Sequence, residues 1–526
     1  MKGRILTSIL TVLTFTGLYS QNQPQVPRLI VGITIDQLRT DYLEAFSGLF
    51  GERGFKRLWK EGRIYRNAEF SFSTIDRASS VASIYTGTTP SVNGIIGNHW
   101  MDITTLRPVN STDDPAFMGN YTSESSSPAK LLTTTVADEL KIATQNRALV
   151  YAISPFREAA IFSAGHAANG AFWINNQTGK WCGTTYYGEF PQWVSRYNEQ
   201  NSIDFRITNL TWSPTLPLTD YISFSSDLSE RSFKYKFEDG KDNKYRRFLN
   251  SPYVNDEVNV LANECLNNSE IGLDDIPDLL LLTYYAGNYN YTGKDDFSLE
   301  IQDTYVRLDR SLAWIIDQVE KKIDLRNVIF VITSTGYTDS ELVDFERYRI
   351  PTGEFYLNRC SALLNMFLMA TYGEGQYVEA YHNQQIYLNR DLIEEKKLNL
   401  SEIQHKSAEF LMQFSGVNEV YSGYRLLLGA WTPDVDKIRK SFNRKRSGDL
   451  LIDVLPGWTI IDENPNNNIV VRKAYTPSPL IFMGGSVKHN IIHTAVSTDH
   501  IAPTLTHFMR IRAPNACTAA PLTDIR

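Results

Sequence analysis

The sequence predicts an α/β fold in which a central, mostly parallel β-sheet carries helices on both faces and additional inserted segments. Short apolar runs rich in β-branched residues alternate with stretches of helical periodicity along most of the 526 residues. This alternation is typical of parallel sheets that are covered on both faces. The composition, with 42% hydrophobic and 12% aromatic residues, supplies enough apolar side chain for a large core and argues against disorder.

The predicted elements follow from local periodicity. The clearest strands are the apolar runs at residues 29–35, 148–153, 278–283, 328–333 and 480–483. The clearest helix spans residues 298–322, where apolar residues recur at spacings of three and four. These apolar positions are Ile301, Tyr305, Leu308, Leu312, Ile315 and Val319. A second helix is predicted at residues 408–414 and their flanks.

Two stretches fit poorly with a simple alternation of strands and helices. Residues 187–255 are rich in aromatic residues, serine and asparagine, and residues 339–468 contain charged and basic segments. Both are interpreted as insertions, the second as a cap-like region. The predicted organisation is therefore a core at residues 28–338, an inserted region at 339–468 and the end of the core at 469–526. Both insertions are candidate partner surfaces.

The first 20 residues have the pattern of a signal peptide. Lys2 and Arg4 precede an apolar run at residues 5–18, and a small residue, Ser20, stands before a polar stretch. The run is shorter than the roughly 20 residues of a membrane helix, although a retained anchor is the alternative. No later segment approaches that length. We therefore expect an exported protein, periplasmic or extracellular, with no membrane span in the mature chain.

The net charge argues against nucleic acid as a partner. The formal charge is −7, and removing Lys2 and Arg4 makes it −9. The basic run at residues 437–446 is an exception, which we interpret as a solvated face. Four cysteines, far apart and without a CxxC motif, allow up to two disulfides but indicate no pairing and no zinc cluster. They are Cys182, Cys265, Cys360 and Cys517.

Candidate site residues follow the predicted strands, because chemistry in open α/β sheets lies beyond the carboxyl ends of the strands. Asp36 follows the first strand, and residues 156–158, 286–290 and 335–336 follow the next three. The stretch from Phe72 to His99 resembles the rim of a phosphate-ester hydrolase site. Arg77 stands at the helix start, where a reactive hydroxyl is expected.

Five blocks together resemble the alkaline phosphatase superfamily, in the branch of threonine-nucleophile alkaline phosphatases and nucleotide pyrophosphatase/phosphodiesterases. The blocks are VGITIDQLRTDYL (31–43), IYTGTTPSVNGIIGN (84–98), AGHAANGAFWINNQTGKW (164–181), DTYVRLDRSL (303–312) and IAPTLTHFM (501–509). The resemblance extends from about residue 28 to 526 and implies an alkaline-phosphatase-like core. It also implies two zinc ions, bound by Asp and His side chains, that activate a threonine for in-line displacement.

Carried over position by position, the resemblance implies that the metal ligands and the nucleophile are missing. The nucleophile position holds Arg77, and Asp36 is the only retained metal ligand. The other metal positions hold Ala286, Asn290, Thr335, Gly336 and, as a rough counterpart, Asn468. The family's phosphate-binding Lys and Arg are replaced by Phe156 and Glu158, whereas Asn98 keeps a phosphate-contacting type. A carboxylate at such a position repels phosphate.

The nearby polar residues do not restore the chemistry. Thr74, Asp76, Ser79 and Ser80 offer no base or metal to activate a hydroxyl, and they suit the start of a helix. The histidine-rich stretch at residues 489–500 falls on a non-catalytic part of the family pattern. Asp36 is then expected in a packing or capping role, and our preferred hypothesis is an ion pair between Arg77 and Asp36 or Glu158.

The sequence therefore predicts an exported, non-catalytic member of the superfamily with no cofactor, which binds or scaffolds a protein of the cell envelope. The alternative is an active, zinc-dependent phosphomonoesterase or phosphodiesterase whose ligands have moved to Asp295, Asp296, His382 or residues 489–500. A third hypothesis is a binding protein that keeps the old cleft, with Arg77 and the helix amides holding an anion.

Overall fold

The chain is organised around one wide β-sheet. In this computed structural model the described residues are 25–525 without 223–231, 239–242, 288–297, 337–347, 430–431, 462–468 and 472–476. The strands are β1 (Leu29–Asp36), β2 (Arg63–Glu69), β3 (His99–Asp102), β4 (Arg107–Asn110), β5 (Gly119–Asn120), β6 (Val150–Ile153), β7 (Gly170–Ile174), β8 (Trp181–Thr184), β9 (Thr211–Trp212), β10 (Tyr235–Lys236), β11 (Asp278–Tyr285), β12 (Val328–Ser334), β13 (Glu354–Tyr356), β14 (Val378–His382), β15 (Gln385–Leu388), β16 (Val417–Ser422), β17 (Leu450–Val454), β18 (Thr459–Ile461), β19 (Ile469–Val470), β20 (Ser478–Met483), β21 (Asn490–Ile492) and β22 (Val496–Ser497).

The α-helices lie between these strands. They are α1 (Thr40–Ala45), α2 (Phe55–Glu61), α3 (Arg77–Thr86), α4 (Pro90–Asn93), α5 (Val136–Ala143), α6 (Arg157–Ala164), α7 (Gln192–Gln200), α8 (Lys244–Leu249), α9 (Tyr253–Asn268), α10 (Leu299–Lys322), α11 (Leu357–Tyr372), α12 (Arg390–Glu395), α13 (Leu400–Leu411), α14 (Gly423–Leu428), α15 (Pro433–Ser441) and α16 (Ile501–Met509).

The central sheet confirms the predicted fold class. Within the described residues its order is β21–β2–β20–β12–β1–β11–β6–β7–β8–β5, with β22 also paired to β2. The strands β12, β1, β11, β6 and β7 run parallel, whereas β20 is antiparallel to both of its neighbours. All five predicted strands are present, and β1 extends one residue beyond its predicted end, to Asp36. The fold is therefore mixed α/β with a mostly parallel sheet.

Both faces of the sheet are covered, which explains why its strands are apolar at successive positions. In β1, Val31 and Ile33 belong to one buried cluster, whereas Ile30 belongs to the other. The first cluster includes side chains of α9 and α10, and the second includes side chains of α3, α6 and α16. Since successive residues of a strand point to opposite faces, a strand buried on both sides needs no polar alternation.

The predicted helix at 298–322 is confirmed as α10. Ser298 caps its N-terminus by accepting a hydrogen bond from the Ile301 amide at 3.4 Å. The apolar stripe identified from the periodicity is buried against the sheet. The second predicted helix is present as α13, but it ends at Leu411, so that Met412–Phe414 lie beyond it.

Most of the described aromatic residues of the 187–255 segment are buried, although Phe205 is 61% exposed, so their abundance does not by itself indicate a partner surface. Trp193, Tyr197, Trp212 and Phe248 are all at most 8% exposed and belong to the same buried cluster as the sheet. The composition of the segment reflects packing onto α9 and α10, which is where its apolar side chains are removed from water.

A buried carboxylate on α10 fixes this segment to the core. Asp303 is fully buried and accepts hydrogen bonds from Trp212 Nε1 at 2.7 Å, the Thr215 amide at 2.6 Å and the Tyr221 hydroxyl at 2.7 Å. Its fourth partner is Arg307 Nε at 2.7 Å. Such a buried charge is tolerated because it is both paired and hydrogen-bonded.

The predicted inserted region has sheets and a buried cluster of its own. A four-stranded sheet has the order β14–β15–β17–β16, and β13, β18 and β19 form a three-stranded sheet, in which β19 lies just beyond the predicted end of the inserted region at residue 468. Leu364, Ile386, Ile403 and Leu450 are fully buried in the cluster between these strands and the helices α11 and α13. The predicted boundaries at 339 and 468 lie outside the described residues.

Other expectations concern the membrane and the cysteines. Among the described helices, none combines the length and apolar character that a membrane span requires. The four cysteines are free thiols; three are buried and Cys517 is partly exposed. The proposed signal peptide at residues 1–20 lies outside the described residues.

We predict that Asp303→Ala destabilises the protein by about 3–5 kcal/mol, because it leaves the Arg307 charge and three hydrogen-bond donors without their acceptor. Urea denaturation followed by circular dichroism measures the free energy of unfolding. The matched control is Glu52→Ala, which removes an 84% exposed partner of Lys56 and should change stability by less than about 0.5 kcal/mol. Equal effects of the two substitutions would show that Asp303 does not fix the segment.

Candidate functional site

The candidate site lies where the three central parallel strands end. In the parallel register Asp36 on β1 lies beside Tyr285 on β11, and Ile35 lies beside Ser334 on β12. The next residues along β11 and β12 are Ala286 and Thr335. The structure therefore brings Asp36, Ala286 and Thr335 together at one edge of the sheet, as the sequence predicted from their positions after the strands.

Asp36 is fully buried and is held by its neighbours on both sides. Thr335 Oγ1 donates a hydrogen bond to Asp36 Oδ1 at 2.8 Å and accepts one from the Gln37 amide at 3.1 Å. The Ala286 amide donates to the Asp36 carbonyl at 2.9 Å. At two positions that the family resemblance assigns to metal ligands, this chain therefore has groups that hold Asp36 in place.

Helix α3 presents Arg77 to this carboxylate. Asp76 caps the helix by accepting from the Ser79 amide at 2.9 Å, while Ser79 Oγ accepts from the Asp76 amide at 3.1 Å. Asp76 Oδ2 also accepts from the Asn98 amide at 2.6 Å. This capping box fixes the helix start, so that the first helical residue, Arg77, faces the end of β1.

The guanidinium of Arg77 joins two carboxylates. Its Nε and Nη2 donate to Asp36 Oδ2 at 2.8 and 2.7 Å, and its Nη1 donates to Glu158 Oε1 at 2.8 Å. The Phe156 ring lies over the guanidinium, with Cζ 3.4 Å from the ring centroid. We call these four residues the Arg77 cluster. The ion pair that the sequence suggested is present, and it includes both candidate carboxylates rather than one.

The cluster is removed from solvent, so its charges interact strongly. The side chains of Arg77 and Glu158 are 16% and 14% exposed. Burial raises the pKa of Glu158, but the charge and hydrogen bond of Arg77 outweigh it and hold the pKa below the usual value of a glutamate. Burial lowers the pKa of Arg77, and the charges of Asp36 and Glu158 more than offset this. Both groups are therefore charged at neutral pH.

Two other predicted site residues have structural roles. Asn98 Oδ1 accepts a hydrogen bond from the Ala78 amide at 3.1 Å, so its side chain caps α3. Gly336 has a φ of +67°, and a Cβ there would lie 2.6 Å from the Phe70 ring. A side chain at position 336 would therefore be strained. Asn290 and Asn468 lie outside the described residues.

The histidines of residues 489–500, proposed as relocated ligands, contact separate parts of the protein. His489 Nδ1 lies 2.9 Å from the Gly62 carbonyl, His493 Nδ1 lies 3.2 Å from Arg66 Nη1, and His500 Nδ1 lies 2.7 Å from the Ala520 carbonyl. In the part of the chain that the structure describes, no three His, Cys, Asp or Glu side chains could hold a metal ion together. Asp295 and Asp296 lie outside that part.

Sequence reasoning missed a contact from the inserted region. Ser441, at the end of α15, accepts hydrogen bonds from the amides of Ser73 and Thr74 at 3.0 and 2.9 Å. Ser73 and Thr74 lie just before the cap of α3. Because Ser441 is 367 residues away in the chain and a lone serine carries no pattern, no sequence signal identifies this contact.

A sequence profile of the family described as type I phosphodiesterase / nucleotide pyrophosphatase matches residues 30–476. The chain belongs to this family. It is 29% identical to alkaline phosphatase PafA of Elizabethkingia meningoseptica, over 99% of this chain and 98% of that protein. It is also 28% identical to alkaline phosphatase PhoV of Synechococcus elongatus, over the full length of both chains.

Solved structures confirm the alkaline-phosphatase-like fold. The crystal structure of wild-type PafA matches with a TM-score of 0.82 at 28% identity, covering 96% of this chain and 99% of that one. A PafA mutant with a replaced threonine, asparagine, lysine and arginine matches with a TM-score of 0.83. Its threonine and asparagine are 21 positions apart, and its lysine and arginine two apart. Arg77 and Asn98, and Phe156 and Glu158, have the same spacings.

We predict that Arg77→Ala destabilises the protein by about 3–5 kcal/mol at neutral pH, because Asp36 and Glu158 are left buried without a cation. In the wild type, the stability that Glu158 contributes is present above its unfolded pKa and is lost as the pH falls through its lowered folded pKa. In the Arg77→Ala variant Glu158 no longer stabilises the fold, and protonation of Asp36 and Glu158 at low pH removes the repulsion between the two carboxylates. The difference between the two proteins should therefore shrink in acid, which urea denaturation across a pH series measures.

The matched control for this experiment is Arg157→Ala. Arg157 adjoins Glu158 in the chain and is 12% exposed, but its carboxylate partners, Asp113 and Glu124, are about half exposed. Arg157 also lowers the pKa of Glu158, but less than Arg77 does, so its loss should cost about 1 kcal/mol and depend less on acid than the loss of Arg77. A loss for Arg77→Ala that is absent at neutral pH, or that is constant across the pH series, would contradict the buried ion pair.

Proposed function

We propose that this chain is an exported, non-catalytic member of the type I phosphodiesterase / nucleotide pyrophosphatase family, with a binding or scaffolding role in the cell envelope. The observation that carries the proposal is the contact of Arg77 with Asp36. At the position where the family resemblance implies a nucleophilic threonine, a guanidinium donates two hydrogen bonds to the carboxylate that the resemblance implies as a zinc ligand.

Arg77 cannot replace the nucleophile. A guanidinium carries no lone pair available for attack and is not deprotonated in proteins. The single proton of the neighbouring Ser79 hydroxyl points to Asp76 Oδ1 at 2.8 Å, with the Thr74 carbonyl as a second acceptor at 3.0 Å, and the hydroxyl therefore takes part in the helix cap. A hydroxyl needs a base or a metal to become a good nucleophile.

The residues at these positions do not fit a two-zinc site. Zinc takes about four ligands from Asp, His, Glu or Cys side chains. Of the described positions that the resemblance assigns to metal, only Asp36 has a ligand type, and its Oδ1 and Oδ2 accept hydrogen bonds from Thr335 and Arg77. A divalent cation would also face the charge of Arg77 at close range.

The environment also opposes a phosphate ester. Glu158 and Phe156 stand where the resemblance implies an arginine and a lysine. The cluster sets two carboxylates against one guanidinium, so an incoming phosphate dianion meets net negative charge. The third hypothesis, an anion held by Arg77, is weakened for the same reason, because the guanidinium already donates to both carboxylates.

The cellular setting of the proposal rests on the sequence. The signal-peptide pattern of residues 1–20 supports export to the periplasm or the cell exterior, and the charge of −7 argues against nucleic acid as a partner. A binding role for an enzyme fold without its chemistry then points to another envelope protein as the partner.

The alternative function is a metal-dependent phosphomonoesterase or phosphodiesterase with relocated ligands. The names of the relatives favour it, since PafA and PhoV are called alkaline phosphatases. Asp295 and Asp296, two carboxylates that such an enzyme would use, lie outside the described residues.

We predict that the purified chain contains no stoichiometric zinc and hydrolyses neither phosphomonoesters nor phosphodiesters, with or without added zinc. Inductively coupled plasma mass spectrometry and chromogenic ester assays on the same sample test this. The positive control is the Elizabethkingia PafA, purified and assayed identically. About two zinc ions per chain together with turnover would contradict the proposal and favour relocated ligands.

The variant Arg77→Thr tests whether only the nucleophile is missing or the metal ligands are missing as well. We expect it to remain inactive, because a threonine hydroxyl alone still lacks the metal ligands at positions 286, 335 and 336. Turnover in this variant would show that the rest of the site is intact and that Arg77 alone blocks it.

A further inference from the structure

One short segment of this acidic protein is strongly basic. Residues 423–446 contain seven Lys and Arg residues and two Asp residues, so the rest of the chain carries twelve excess negative charges. The segment includes helices α14 and α15 and the residues after them. Neither the Arg77 cluster nor the proposed function explains why positive charge is concentrated in residues 423–446 while the rest of the chain is acidic.

Three of these cations are exposed and unneutralised. Lys437, Arg444 and Lys445 are exposed. None of them forms an ion pair with a carboxylate among the described residues, whereas Arg439 and Lys440 both pair with Asp436. Long-range attraction to a negatively charged surface is therefore available from these three side chains.

Apolar side chains are exposed on α14, the first helix of this segment. Tyr424, Leu427 and Leu428 of α14 are 53%, 44% and 70% exposed. Their spacing of three and four residues puts them on one face of the helix. Leu426, by contrast, is fully buried in a small cluster with Val435 of α15. The packing of Leu426 against Val435 thus holds α14, which carries the exposed apolar face, against α15.

The segment is also anchored to the core, so its surface has a fixed orientation. Besides the contacts of Ser441 with Ser73 and Thr74, Asn443 Nδ2 donates to the Ser91 carbonyl at 3.1 Å. The guanidinium of Arg446 lies 5.0 Å from the Trp100 ring centroid. Anything that binds Tyr424, Leu427 and Leu428 together with the three exposed cations is therefore held in a defined orientation to the whole protein.

We propose that Tyr424, Leu427 and Leu428 of α14 and the exposed cations Lys437, Arg444 and Lys445 together form a surface that docks on the anionic phospholipid headgroups of a membrane. Exposed leucines that enter the headgroup region, a tyrosine at its boundary and unpaired cations beside them are the features of interfacial binding. The excess negative charge of the remaining chain is repelled by the same lipids, which favours this one orientation. The inference is independent of whether the Arg77 cluster is catalytically inert.

The test is sedimentation of the full chain with vesicles of phosphatidylcholine, with and without phosphatidylglycerol. We expect binding that requires phosphatidylglycerol and is lost at high salt, since exposed charges are screened. The double variant Lys437→Ala, Lys445→Ala should lower the partition coefficient by about 25-fold, because each cation near an anionic surface contributes about fivefold. Leu427→Ser with Leu428→Ser should also weaken binding.

The matched control is Leu273→Ser with Met118→Ser, which removes apolar side chains that are 51% and 70% exposed elsewhere on the protein. It should leave vesicle binding unchanged, and thermal melting checks that all variants are folded. Binding to pure phosphatidylcholine of equal strength, equal loss in the control, or no binding at all would overturn the proposal. So would a protein ligand that depends on this surface while vesicle binding does not.

Discussion

The site depends on a charge that must be balanced inside the protein. Asp36 ends the central strand β1 and is fully buried, and Arg77 and Thr335 contact its carboxylate. Removing a carboxylate from water costs several kcal/mol unless a cation and hydrogen bonds compensate it. For other members of the family, the resemblance implies that metal ions bind this carboxylate. Here the guanidinium of Arg77 provides the positive charge, and Thr335 provides a further hydrogen bond.

The contacts that fix the start of α3 determine where the side chain of Arg77 lies. The capping box of Asp76 and Ser79, the Asn98 side chain and the contact from Ser441 all fix the first turn of α3. None of these contacts requires a hydroxyl at position 77. A rigid helix start therefore positions whichever side chain occupies its first residue, and arginine is long enough to reach both Asp36 and Glu158.

The sequence predicted the parts of the structure that local pattern determines. Apolar runs located the strands because both faces are buried, and the positions after them identified Asp36 and Thr335. The pattern could not show that Thr335 donates to Asp36, because a hydroxyl at a strand end has many possible partners. The sequence pattern could not show which aromatic residues of 187–255 are buried. Trp212, for example, donates a hydrogen bond to Asp303, which is about 90 residues away in the chain. The contact of Ser441 is longer-range still.

The charges of the Arg77 cluster limit the ligands that can bind at this edge of the sheet. Replacing a buried ion pair by apolar residues of similar volume is often neutral or stabilising, so stability alone does not explain an arginine between two carboxylates. The guanidinium of Arg77 lies directly against the Asp36 carboxylate, and the two carboxylates of the cluster leave excess negative charge at that edge of the sheet. Both effects oppose a phosphate ligand. Under the proposed non-catalytic function, binding takes place away from the Arg77 cluster, and the exposed surfaces of the inserted region are the places to test for it.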